Sequence, residues 1–211
     1  MSNNSLQKNS QVNLTVLKEG YKMTTKQVRS IYQIKISLIG LKPPIWRTVL
    51  VPSDLGLEDF HDVIQIAMGW TDSHLHQFIA NNVFYGIPDD DFGMGMEIED
   101  ESKYKLSQLL SKEKDIITYE YDFGDSWEHK ILLEKILPFD TKTTLPVCIK
   151  GKRACPPEDC GGVWGYEELL ETISNIEHPE HEDMLEWLGG EFDPEEFDLA
   201  EINDDLAEYW K

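Results

Sequence analysis

The sequence predicts an α+β fold, a mixed or mainly antiparallel sheet packed by helices, and three observations carry that prediction. Period-two apolar alternation fills most of residues 31–149. One amphipathic helical interval interrupts it, and helical spacing takes over after residue 162. Aromatic residues make up 10% and apolar residues 40% of the 211 positions, enough to bury a core. One domain over residues 29–211 is the simplest organisation at this length. Residues 1–28 are polar, rich in Asn, Gln and Lys and without periodicity, and read as a flexible extension in which Met23 is an alternative start.

Each element follows from its local pattern. Ile34, Ile36 and Leu38 alternate with Lys35 and Ser37, which predicts a half-buried strand. Residues 45–51 predict a second strand paired to it as a hairpin, closed by Pro52. The period then changes: Leu57, Phe60, Ile64, Ala67 and Met68 predict an amphipathic helix that starts near Ser53 or Asp54 and stops at Gly69. The run HLHQFIA predicts a third strand with His74 and His76 on one face. Residues 86–103 read as a long acidic loop. The segment DIITYEYDF, a break at Gly124 and Asp125, and SWEHKILLEKIL predict a long hairpin whose apolar rows include Ile117, Tyr119, Tyr121 and Phe123 on one strand and Trp127, His129, Ile131 and Leu133 on the other. The prolines and glycines of GKRACPPEDCGG, after Ile149, predict a rigid loop without regular structure. Tyr166, Leu169, Leu170, Ile173 and Ile176 then predict a helix, Met184, Leu185 and Leu188 a shorter one after Pro179, and the run FDPEEF the start of a last one capped by Asp193.

Charge narrows the function classes. The net charge of −21 repels nucleic-acid backbones over the whole surface, which disfavours direct nucleic-acid binding. Its distribution is uneven: residues 1–50 hold eight Lys or Arg against Glu19 alone, whereas from Cys155 onward Lys211 is the only basic residue. The acidic face predicts a basic protein partner; the basic leading segment leaves a DNA-binding accessory role as a further alternative. No stretch approaches the roughly 20 apolar residues of a membrane span, and the opening residues lack a secretory pattern, so no membrane association and a cytoplasmic location are expected. Three cysteines fit reduced thiols or metal ligands better than a disulfide framework.

Three groups of residues carry candidate chemistry. Two imidazoles one residue apart, His74 and His76, would reach one divalent metal such as zinc; hydrogen-bonded core histidines are the plainer use. His129, in the apolar row, is expected to be neutral, either oriented by Asp122 or Asp125 as a base or bonded to a backbone carbonyl. Cys155 and Cys160, with Glu158 and Asp159 between them, have zinc-compatible spacing but need Cys148, His129 or the His74/His76 pair to close a site; packing thiols are the alternative. Trp46, Arg47, Trp70 and Trp164 suit a core better than a stacking platform. These residues support two functions: a non-catalytic protein-interaction module with an acidic face, or a metal-dependent hydrolase or nuclease. Convergence of the histidines and the PPED loop on one spot would favour the second.

The ordered set PPIWRTVLVPSDLGLEDFHDVIQIAMGW, HLHQF, YEYDFGDSWEHKILLEK, GKRACPPEDCGG and FDPEEFD, covering nearly everything after residue 30, resembles the Ri-plasmid ORF-3-like family, whose members are sometimes labelled resolvase-like passenger proteins of insertion elements. The resemblance implies an α+β domain and an association, by label, with mobile elements; it implies no reaction. The sequence has neither a recombinase nucleophile setting nor a basic recognition helix.

Overall fold

The computed structural model describes residues 29–88 and 97–211. Eight strands form one sheet: β1 (Ser30–Leu38), β2 (Trp46–Pro52), β3 (His76–Ala80), β4 (Val83–Gly86), β5 (Ile98–Asp100), β6 (Ile116–Tyr121), β7 (Trp127–Pro138) and β8 (Val147–Lys152). Their order across the sheet is β5-β4-β3-β6-β7-β1-β2-β8. Every neighbouring pair is antiparallel except β4 with β5. The expected mixed, mainly antiparallel sheet with its long hairpin is therefore present. The helices are α1 (Leu57–Met68), α2 (Leu106–Leu109), α3 (Gly162–Ser174), α4 (His181–Leu188) and α5 (Leu199–Tyr209).

Alternation decides which face of the sheet is buried. Along β7, Trp127, His129, Ile131 and Leu133 are buried while Glu128 and Lys130 are exposed, and β1 buries Ile34, Ile36 and Leu38. Helix α1 lies across the buried face. Phe60 stacks on Phe78 of β3, with ring centroids 6.0 Å apart, and at the helix end Arg47 Nε of β2 donates to the Ala67 carbonyl at 2.8 Å. Burial lowers the Arg47 pKa, opposed by the nearby thiols Cys155 and Cys148. Gly69, with φ of 88°, ends α1 as expected. The edge strand β8 meets α5 through Asn203, whose side-chain oxygen accepts from Cys148 N at 2.8 Å and whose amide donates to the Cys148 carbonyl at 2.9 Å.

Several boundaries differ from the expected ones. The N-cap of α1 is Gly56, because residues 53–55 are tied to β1 and α2 through Ser53 N to the Ser30 carbonyl and Leu106 N to the Leu55 carbonyl. His74 precedes β3 and is not part of it. Strand β8 continues through Lys152, since backbone pairing of residues 150–152 with β2 outweighs the propensity of Gly151. The hairpin break spans residues 122–126, with Asp122 and Ser126 at positive φ, so exposed Phe123 leaves the apolar row. Asp193 caps only a turn; α5 is capped by Asp198, whose carboxylate accepts from Ala200 N and Glu201 N. Helix α3 ends before Ile176, which is 80% exposed. Strands β4 and β5 and helix α2 arise where the sequence suggested no element, and Ile98–Asp100 with the 3-10 turn Glu101–Lys103 occupies part of the expected acidic loop. The readings made on residues 1–28 and 89–96 lie outside the described residues.

Candidate functional site

Loop 69–75, between α1 and β3, and the Cys155–Gly161 loop meet at one end of β3, β6 and β7. Trp70 Nε1 donates to the Pro156 carbonyl at 2.9 Å. The Glu158 carboxylate accepts from the Tyr121 hydroxyl, from Thr71 Oγ1, and from Thr71 N at 3.3 Å. Burial raises the Glu158 pKa, but the bonds from Thr71 and Tyr121 outweigh it and leave the group below its ordinary value. Asp125 Oδ2 accepts from Gly161 N at 3.1 Å. Gly161 and Gly162 have φ of 91° and 68°, the conformations expected of the pair, and a Cβ on Gly162 would stand 2.5 Å from the Asp125 carbonyl oxygen. The PPED loop is thus latched onto the hairpin end.

At this junction His74 Nε2 lies 3.2 Å from Asp159 Oδ1 and 3.8 Å from Asp122 Oδ2. Neither contact has hydrogen-bonding geometry, so Nε2 is a buried atom without a hydrogen-bond partner. Asp122 also accepts from Gly124 N at 2.9 Å and so holds the turn. One imidazole and two carboxylates from three chain segments, all candidates from the sequence, gather within 4.8 Å.

His76 faces a second group. Its ring stacks on that of His61 with centroids 3.5 Å apart and planes 7° apart. His76 Nε2 lies 3.0 and 3.1 Å from the two oxygens of buried Glu101. His61 Nδ1 is 2.8 Å from the Tyr119 hydroxyl and its Nε2 is 2.9 Å from Asp72 Oδ1. Gln65 donates to the Tyr119 hydroxyl at 2.9 Å and accepts from Asp72 N at 3.0 Å. Burial, then the neighbouring His76, lowers the His61 pKa to about 4 against the opposing pull of Asp72. The expected shared site of His74 and His76 is therefore divided: His74, in the loop, turns to Asp122 and Asp159, while His76, in the strand, turns under α1.

The other candidates do not join. His129 is fully buried and its Nδ1 lies 3.0 Å from the Trp127 carbonyl, the plainer of its two expected uses. Asp122 and Asp125 are spent on Gly124 and Gly161 and do not orient it. Burial lowers the His129 pKa to about 4. The cysteines are free thiols; burial pushes Cys160 up to about 12 and Cys155 higher still, and no imidazole gathers with them among the described residues. Cys148 is buried in the core beside α5. Trp70 is buried as expected, but Trp164, read as a core residue, is 82% exposed.

Sequence reasoning missed His61, Asp72 and Glu101. His61 and Gln65 are four residues apart on the apolar stripe of α1, a polar pair that patterning can flag. Nothing local distinguishes Glu101 within EIEDES.

The acidic face is the other candidate surface. From Cys155 onward Lys211 is the one basic residue. Helix α4 has no fully buried residue: Met184, Leu185 and Leu188 are half-buried, Met184 and Leu188 against the core, and Trp187 is exposed. A groove of about 560 Å³ lies beside it, lined by Leu170, Ile173, Leu185 and Phe192, and a second of about 220 Å³ by Leu169, Met184 and Trp187. Among the described residues no helix is long and apolar enough to cross a membrane.

Comparison with known proteins places this architecture. The chain is 37% identical over 187 residues to the uncharacterized protein y4hQ of Sinorhizobium fredii (strain NBRC 101917 / NGR234), covering 87% of this chain and 95% of that protein. It is similar to the crystal structure of protein of unknown function MM3350 from Methanosarcina mazei Go1, with a TM-score of 0.74 and 44% identity over 82% of this chain and 96% of that one. The family model described as plasmid pRiA4b ORF-3-like protein matches residues 30–201, and the chain belongs to that family.

Proposed function

We propose that the chain is a non-catalytic interaction module that captures a basic protein partner on the acidic C-terminal helices. One observation carries this reading: the amphipathic helix α4 rests only Met184 and Leu188 against the core, leaves Trp187 half exposed, and is flanked by grooves that Leu170, Ile173, Leu185 and Phe192 line in part. An apolar stripe stabilises a helix by burial, and here the part of it that the core leaves open is free for a second molecule. The surrounding carboxylates select the partner by charge, while Leu185 and the 51% exposed Trp187 anchor it. The fitting occupant is an amphipathic segment rich in Lys or Arg.

The test is fluorescence anisotropy with a labelled Lys/Leu amphipathic helical peptide and its Glu/Leu counterpart. The Lys/Leu peptide is expected to bind, to weaken steeply with salt, and to lose about tenfold in affinity in Trp187→Ala, the loss of one anchor. Equal binding of both peptides, or full affinity in Trp187→Ala, overturns the reading.

The convergence of His74, Asp122 and Asp159 favours a second reading, a metal-dependent hydrolase or nuclease with a divalent ion such as zinc on those three donors. Metal-stimulated hydrolysis that Asp159→Asn abolishes would establish it in place of the first.

A further inference from the structure

We propose that the smaller of the two grooves beside α4 receives an arginine side chain of the partner, an inference that rests on the capture of a basic partner by α4. The groove, of about 220 Å³, lies where α3, α4 and the PPED loop meet. Each of the three segments lends it a carboxylate: Glu168 from α3, Glu180 from the start of α4 and Asp159 from the loop. Leu169, Met184 and Trp187 supply its apolar walls.

The frame of the groove is fixed by the fold. Leu169 and Thr172 on α3, and Met184 and Trp187 on α4, are each three residues apart, so each helix turns one face to it. His181 Nδ1 lies 3.1 Å from the Thr172 carbonyl and ties the first turn of α4 to α3, and Glu180 N donates to His178 Nδ1 at 3.2 Å. Asp159 belongs to the loop latched through Glu158 and Gly161. Met184 rests against the core, while Trp187 stays half exposed. A site held in place beforehand loses little binding energy to ordering.

Charge complementarity and the chemistry of the walls select the guest. Among the described residues the ion-pair partner of Asp159 is His74, and the Glu168 and Glu180 carboxylates have none. A guest cation turns repulsion among the three acids into attraction. Neither Glu168 nor Glu180 belongs to a described group of donors within 4.8 Å, so these oxygens are spread too widely to hold a metal ion. An ammonium is a strongly hydrated point charge, poorly matched to an indole and a thioether. A guanidinium is weakly hydrated, stacks on an indole face and carries five N–H donors in a fixed fork, which suits carboxylates set apart around an apolar wall. The larger groove beside the same helix, lined by Leu170, Ile173, Leu185 and Phe192, takes the apolar residues of the same segment.

The test titrates the full chain, by fluorescence anisotropy, with two labelled helical peptides of equal charge, Arg/Leu and Lys/Leu. The Arg/Leu peptide should bind about tenfold more tightly. That preference should vanish in the Glu168→Gln, Glu180→Gln double variant and in Trp187→Ala. It should persist in Glu201→Gln, Glu208→Gln, which removes the same charge from exposed positions of α5. All the substituted carboxylates are exposed, so the variants keep the fold, which the thermal midpoint checks. Equal affinity for the two peptides, or a preference indifferent to Glu168 and Glu180, overturns the arginine groove; if Lys/Leu binding still depends on Trp187, capture of a basic partner stands without it. Binding of neither peptide overturns both.

Discussion

The sheet with α1 and the acidic helix α4 use the same residue types to opposite ends. Trp127 on β7 is 1% exposed and packs near Trp70, whereas Trp187 on α4 is half exposed beside a groove. Among the ionisable groups, His129 is sealed in the core without a charge partner, while α4 carries Glu182, Asp183 and Glu186 in water. Stability belongs to the first region and, in the proposed reading, recognition to the second, and substitutions separate the two.

The largest expected effect is in the core. Trp127→Ala should cost about 4 kcal/mol, through lost transfer energy and the cavity left behind; Trp187→Ala should stay within about 0.5 kcal/mol. Urea unfolding of the two variants measures this directly, and equal costs would break the comparison. Next is acid. Unfolded His129 takes up a proton near its ordinary pKa of about 6.5, and the folded side chain only near about 4. In that window the unfolded state binds more protons, so stability is lost as pH falls from 6.5 toward 4, by about 3 kcal/mol at most. His61, lowered to a similar value, adds in the same direction. Unfolding midpoints at pH 7 and pH 5 should show a smaller loss for His129→Leu than for the parent; an undiminished loss would remove His129 from the account. The third effect belongs to the latch. Gly162→Ala combines positive φ with contact to the Asp125 carbonyl, and should cost about 1 to 3 kcal/mol while accelerating amide exchange in the Cys155–Gly161 loop. Unchanged exchange would show that the loop does not depend on that contact.

The sequence made legible whatever a local period encodes. Strands β1, β2, β6 and β7 and helix α1 announce themselves because burial on one face imposes the pattern directly. Strand β5 is three residues long and is held by its pairing with β4, which no local signal records. The candidate site divided the same way. Asp122 and Asp159 stood out as polar residues in or beside Gly- and Pro-marked turns and His74 as one of two imidazoles a residue apart on an expected strand, but their meeting depends on the latch between distant loops. His76 was visible and its partners were not, because His61 sits on a helical stripe that reads as core and Glu101 among equivalent acids.

Asn203 acts as a one-residue surrogate strand. By offering both a donor and an acceptor to the backbone of Cys148, it occupies the place on β8 where the strand of another molecule would begin to pair. The opposite margin is three residues long, flanked by acids and poorly suited to extension. A chain that lost α5 would therefore uncover, on the longer of the two sheet margins, a pairing position that could begin strand-by-strand association.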